Sequence, residues 1–120
     1  MIRVYVGGCY ISNAFNAIKL FDNIRKGIKA ASTLLTMGYL PYCPFLDFMF
    51  LLSMNDGESI SIETFRKLSL AWLEVSDYFL VLDGYEESIG IVDEIKLAEY
   101  KRIPIIYGLQ TFLNTEEGLT

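Results

Sequence analysis

Short runs of β-branched and aromatic residues alternate along this chain with segments of helical period, and that alternation constrains the fold most. Ile2–Val6, Tyr39–Cys43, Tyr78–Leu82 and Ile103–Tyr107 read as strands, each nearly all apolar. Between them apolar residues recur at helical spacing. Asp22 or Asn23 caps a first helix that carries Ile24, Ile28, Ala31, Leu34 and Leu35 to about Met37, where Gly38 stops it. A second helix opens near Ser61 and runs to about Val75, with Phe65, Leu68, Trp72 and Leu73 on one stripe. A third spans about Ile89 to Lys101. The expected fold is α/β: a doubly wound, mainly parallel sheet of four or five strands with helices on both faces, of the flavodoxin or Rossmann type. Pro41 puts the second strand at an edge, where a missing N–H costs little. Phe45–Ser59 reads as a long connection, and the tail from Gly108 to Thr120 as polar and uninformative. With 52% hydrophobic and 21% charged residues, the 120-residue chain suits one domain, 1–120, around one core.

Topology alone nominates a site. Right-handed crossovers make 2-1-3-4 the economical strand order, so the winding reverses between strands 1 and 3. Ligands in such sheets bind outside the carboxyl ends of the strands at that point. The loops there are Gly7 to Ser12 and Asp83 to Gly90.

Composition narrows the chemistry. Ten Lys and Arg against 15 Asp and Glu leave a net charge of −5, which suits no nucleic acid polymer but admits one small phosphorylated ligand. Histidine is absent, which excludes catalytic triads and imidazole-bound zinc. No metal and no cofactor are expected. Acid–base work falls to carboxylates, tyrosines or lysines. Cys9 and Cys43 make neither a metal cluster nor a disulfide framework, and Cys9 has no histidine or obvious cation to activate it. The opening MIRVYVGG is no signal peptide. The most apolar run, Phe45–Met54, is about ten residues long and contains Asp47, too short to span a bilayer. A reduced, soluble, cytoplasmic protein with no membrane contact is expected.

In the second loop, Ser88 is placed as an N-cap and Gly90 permits close approach to the backbone. Free N–H groups and the helix dipole there attract an anion, for which phosphate is the natural candidate. The same residues also fit a plain cap and a packing position. Glu94 lies one turn into the helix, at the border of the stripe Ile91, Ile95, Ala98, so its carboxylate should be partly desolvated and its pKa raised. Glu99 borders the other side of the stripe but sits mid-helix. Asp93, Lys96 and Tyr100 face water and carry no chemistry. Asp83, at the carboxyl end of its strand, binds a hydroxyl or caps the loop; Asp77, at the opposite end, is structural. The first strand and its turn contribute Tyr5, Gly7, Gly8, Cys9 and Tyr10. The glycines permit close approach of a ligand, and a tyrosine hydroxyl beside Glu94 would hold that carboxylate. Core packing is the equal alternative for Tyr5. Gly7-Gly8 is no dinucleotide fingerprint, since a third glycine and an immediate helix are missing.

Together these residues resemble the nucleoside 2-deoxyribosyltransferase superfamily, over roughly Ile2 to Tyr107. That superfamily includes 2-deoxynucleoside 5-monophosphate N-glycosidases, cytidylate hydrolases and short phage and bacterial relatives. Tyr5-Val6-Gly7-Gly8 is similar to its opening strand and turn. Trp72-Leu73, then Asp77, then Leu82-Asp83-Gly84 resembles the approach to its third strand. Ser88-Ile89-Gly90-Ile91-Val92-Asp93-Glu94 resembles its signature, in which a glycine precedes the catalytic glutamate by four residues; Ala98 and Pro104-Ile105-Ile106 also fit. The resemblance implies that Glu94 attacks the anomeric carbon or stabilises the charge developing there, chemistry that needs a carboxylate beside an oxocarbenium-like carbon. Six residues earlier, nucleoside transferases carry an aspartate and nucleotide hydrolases a serine. Ser88 there implies a nucleotide, because a serine donates to a 5′-phosphate that an aspartate would repel. Three residues before the Trp-Leu pair the relatives carry an aspartate that contacts the sugar. This chain has Ser69, and Asp47 or Asp83 is the candidate to replace it.

The resulting expectation is an N-glycosidase or deoxyribosyltransferase acting on the N-glycosidic bond of a (deoxy)nucleoside 5′-monophosphate. Glu94 and Tyr5 are its catalytic candidates. Gly7, Gly8, Tyr10, Asp83, Ser88 and Gly90 are its binding candidates. The rival is a non-catalytic nucleotide-binding or sensing module, motivated by Ser69. A third reading is a structural or interaction protein using the apolar segment, against which the set Ser88, Gly90 and Glu94 speaks. Phe45–Leu52 is too apolar for a solvated loop, so a homo-oligomer with this segment near the contact is expected. Its alternative is a short helix folded back on its own sheet.

Overall fold

The computed structural model describes residues 1–9, 16–88 and 90–115. The elements run β1 (Arg3–Gly7), α1 (Ala17–Thr36), β2 (Leu40–Tyr42), a 3-10 helix (Pro44–Ser53), α2 (Ile62–Glu74), β3 (Tyr78–Val81), a 3-10 turn (Tyr85–Glu87), α3 (Ile91–Tyr100), β4 (Ile105–Tyr107) and α4 (Leu109–Asn114). The strands pair in parallel in the order β2-β1-β3-β4. This is a doubly wound, Rossmann-like α/β sheet, with the winding reversal between β1 and β3. Pro41 lies in the edge strand β2.

Side chains alternate across the strands, and the sheet therefore divides the expected single core into two layers. Val4, Val6 and Leu80 pack with Ala30, Ala31 and Leu34 of α1 and with Phe112 of α4. Tyr5, Phe79 and Val81 pack with Leu73 of α2 and with Ile91 and Ala98 of α3. Burial on both faces is why the central strands read as continuous apolar runs. No helix among the described residues is long and apolar enough to cross a membrane.

Several segments depart from expectation. The cap of α1 is Asn16, whose side chain accepts from the Lys19 N–H at 3.0 Å, and not Asp22 or Asn23. The first turns of α1 expose Ile18 and Phe21 at 74% and 62%, so no buried stripe marks them in the sequence. The connection after β2 is helical. Pro44 opens it, its fixed φ suiting a first helical position. Phe45 is buried against Gly27 of α1, where a Cβ would overlap its ring. Beyond it Met49, Phe50, Leu51 and Leu52 are exposed, so the segment folds back through Pro44 and Phe45 and still leaves apolar side chains in water. Trp72 is not in the buried stripe of α2. It is half-exposed and stacks on Tyr42, with ring centroids 5.4 Å apart, while Ser69 and Leu73 turn inward. The dismissed tail contains α4, whose Phe112 is fully buried edge-on to Tyr39 and Tyr78. Asp77 accepts from the Arg3 N–H at 2.7 Å and ties β3 to β1, a structural role.

Candidate functional site

Gly7 ends β1 opposite Val81 of β3, and the Leu82 N–H donates to the Gly7 carbonyl at 2.9 Å. Past these strand ends lies a cavity of about 150 Å³. One wall is Ile62, Phe65, Arg66, Ser69 and Leu70 of α2. The other is Gly8, then Ser88 and Gly90 before α3, then Asp93 and Glu94 in its first turn. The volume is below the roughly 300–1,000 Å³ of most small-molecule clefts, so the site is shallow.

Glu94 is partly buried, and the Tyr5 hydroxyl donates to its Oε1 at 3.1 Å. Tyr5 itself is fully buried, edge-on to Phe79 and stacked on Tyr42. Its hydroxyl position is therefore set by the core. Gly7 makes room for this arrangement, since a Cβ there would lie 2.5 Å from the Phe79 ring and 3.1 Å from Glu94 Oε2. Burial pushes the Glu94 carboxyl up to about 7, from an ordinary 4.5. The Tyr5 hydrogen bond pulls it back, Asp93 pushes it further up and Arg66 pulls it down.

Ser88 does not cap α3. It closes the preceding 3-10 turn through its own N–H to the Tyr85 carbonyl at 2.9 Å, and Gly90 holds the cap position. Gly90 brings no side-chain oxygen to the first-turn N–H groups, and a Cβ there would meet nothing within 4 Å. Both residues still line the cavity, so the anion-favouring helix end faces it. Ser69 is buried in the opposite wall.

The two aspartates considered as replacements lie elsewhere. Asp83 is exposed in the turn after β3, with Oδ1 3.7 Å from where a Gly108 Cβ would stand, on the β4 side. Asp47 lines a separate groove of about 390 Å³ between α1, β2 and the 3-10 helix. There the Tyr42 hydroxyl donates to both its oxygens at 3.1 and 3.2 Å, and burial raises its carboxyl. Cys9 is buried, which pushes its thiol up, with Glu87 acting the same way and Lys19 opposing. Tyr10 lies outside the described residues. No group of three His, Cys, Asp or Glu placed to hold a metal occurs among the described residues.

Sequence reasoning missed Arg66 and Asp93. Asp93 is exposed, as expected, yet it borders the cavity and stands 3.9 Å from Arg66 Nη1. The signal for Arg66 was helical spacing, since positions 62, 65, 66 and 69 share one face of α2 once Ser69 is assigned to the site.

No curated protein matches the chain. A family model for a domain of unknown function, DUF7768, matches residues 8–108. That span includes every residue lining the cavity, and the chain belongs to the DUF7768 family.

Proposed function

We propose that this chain is a nucleotide N-glycosidase or deoxyribosyltransferase, related to the nucleoside 2-deoxyribosyltransferase superfamily and acting on a (deoxy)nucleoside 5′-monophosphate. One observation carries the reading. A partly buried carboxyl, held by a core tyrosine, borders a cavity at the switch point that also contains Ser88 and a helix end without a side-chain cap. In this reading the ionised Glu94 attacks the anomeric carbon and the C–N bond breaks. The bonding pair leaves with the base, and water or a second base then displaces the carboxylate. Tyr5 orients Glu94, and Ser88 with the α3 N-terminus receives the phosphate. The carboxyl works best above its raised pKa, where it is ionised.

Ser69 favours a second reading, a nucleotide-binding module without turnover, because it occupies the cavity wall where the resembled enzymes carry an aspartate. A panel of nucleoside and deoxynucleoside 5′-monophosphates separates the two. Release of free base from at least one is expected, with larger thermal shifts for monophosphates than for the matching nucleosides. Shifts without base release would select the module; equal shifts for both ligand classes would end the phosphate assignment. Ser88→Asp should weaken monophosphate binding by like-charge repulsion and spare the nucleoside.

We also propose that the chain self-associates. Leu46, Met49, Phe50, Leu51 and Leu52 are all exposed along one 3-10 helix, and a cluster of exposed apolar side chains on a small domain marks an interaction site. Light scattering at micromolar concentration should give at least a dimer mass, and a monomer mass would refute this. Leu52→Glu, 79% exposed, should dissociate the oligomer without unfolding the chain.

A further inference from the structure

Among the described residues lining the cavity, Asp93 and Glu94 are acidic and Arg66 is the sole cation. An anionic ligand entering a chain of net charge −5 meets two carboxylates there. Ser88 and the α3 N-terminus offer it dipoles but no full positive charge. Arg66 reaches the same mouth from the opposite wall, on α2. Its present partner is a poor one. Arg66 Nη1 and Asp93 Oδ2 are 3.9 Å apart, beyond hydrogen-bond distance, with the side chains 45% and 59% exposed. A solvated pair of this kind contributes little and exchanges readily. A guanidinium fork matches phosphate geometry in a way that one distant carboxylate oxygen does not. Asp93 sits in the first turn of α3, where the helix end favours an anion, and a phosphate at that position would compete with it directly.

We propose that Arg66 determines the site's preference for phosphorylated ligands, exchanging Asp93 for the 5′-phosphate of the nucleotide. The inference rests on the nucleotide reading above and adds the residue that enforces it. Ser88 and Gly90 hold the phosphate from one wall and Arg66 from the other. Asp93 keeps the guanidinium over the mouth and competes for it.

The test measures binding, so it does not depend on turnover. Calorimetry compares the four deoxynucleoside 5′-monophosphates with their nucleosides, in a Glu94→Gln background that leaves the ligand intact. Arg66→Gln should weaken the best-bound monophosphate by about tenfold or more and change its nucleoside little. Arg66→Lys should fall between, keeping the charge and losing the fork. Asp93→Asn should tighten the monophosphate when Arg66 is present, and by clearly less when it is Gln, the coupling expected of competitors for one cation. Arg66 is nearly half-exposed, and circular dichroism should find all variants folded. If Arg66→Gln keeps the full preference for monophosphate over nucleoside, this inference is wrong and the nucleotide reading stands. If the Arg66-containing protein shows no such preference, both fall.

Discussion

Glu94→Gln is expected to abolish base release and, at pH 8, to yield a protein more stable than the wild type. Glutamine keeps the shape of the side chain and can still accept from the Tyr5 hydroxyl, so the site should survive. What is lost is the ionised oxygen that attacks the sugar in the proposed reaction, and removing a nucleophile costs on the order of 10³-fold or more in rate. The stability gain follows from burial. The carboxyl titrates near 7 in the folded protein against an ordinary 4.5. Below 4.5 it is protonated in both states and burial carries no charge penalty. As pH rises from 4.5 to about 7 the unfolded chain releases the proton and the folded one retains it, so stability falls. Above that window the loss is complete, about 3 kcal/mol from the size of the shift. Urea denaturation of both proteins at pH 4.5 and pH 8 should therefore show a gap that opens only at the higher pH. A pH-independent gap would refute the buried charge, and retained base release would refute the nucleophile. The kcat/KM of the wild type should rise with pH through about 7, in step with ionisation of Glu94. Asp93 is no neutral control, because it lines the cavity. Glu99, exposed in the last turn of α3 and away from the cavity lining, is the better one.

Phe112→Ala should be the most destabilising of the simple truncations. The ring is fully buried, edge-on to Tyr39 at 5.3 Å and Tyr78 at 6.2 Å, and belongs to the core layer beneath α1. Emptying such a site costs about 3–5 kcal/mol, a large part of the stability of a small domain. A fall in the urea midpoint without a change in slope is the expected signature. Thr111→Ala, one position away and exposed, should change little. An equally mild effect at both positions would mean that α4 is not part of the core.

The same two residues show how much of the molecule is legible in the chain. Glu94 was readable because its setting is local: the angle between Glu94 and the stripe Ile91, Ile95, Ala98 follows from helix geometry alone, and a carboxyl at that border is desolvated wherever the stripe is buried. Strand order was readable for a related reason, since right-handed crossovers leave few ways to wind four apolar runs. Phe112 was not, because α4 has only six residues, Leu109–Asn114, too few for a period to show. The start of α1 was hidden because its first turns bury nothing.

The residues at and behind the site divide along the same line. Tyr5, Gly7, Gly8, Ser88 and Gly90 are placed at the switch point by strand ends, and the sequence marks strand ends with glycine and with the close of an apolar run. Arg66 and Asp93 face each other only because α2 packs on α3. Asp47 and Asp83, equal candidates in the sequence, are sent away by the sheet, one to the groove beside β2 and one to the β4 side. Periodicity and turns are interactions between neighbours along the chain, so the sequence by itself determined the four strands, the three longer helices, their order and the carboxyl at the site, but not α4, the 3-10 helix or the start of α1. Which charges share the cavity with that carboxyl depends on contacts between residues far apart in the chain, and only the packing of one helix on another decided it.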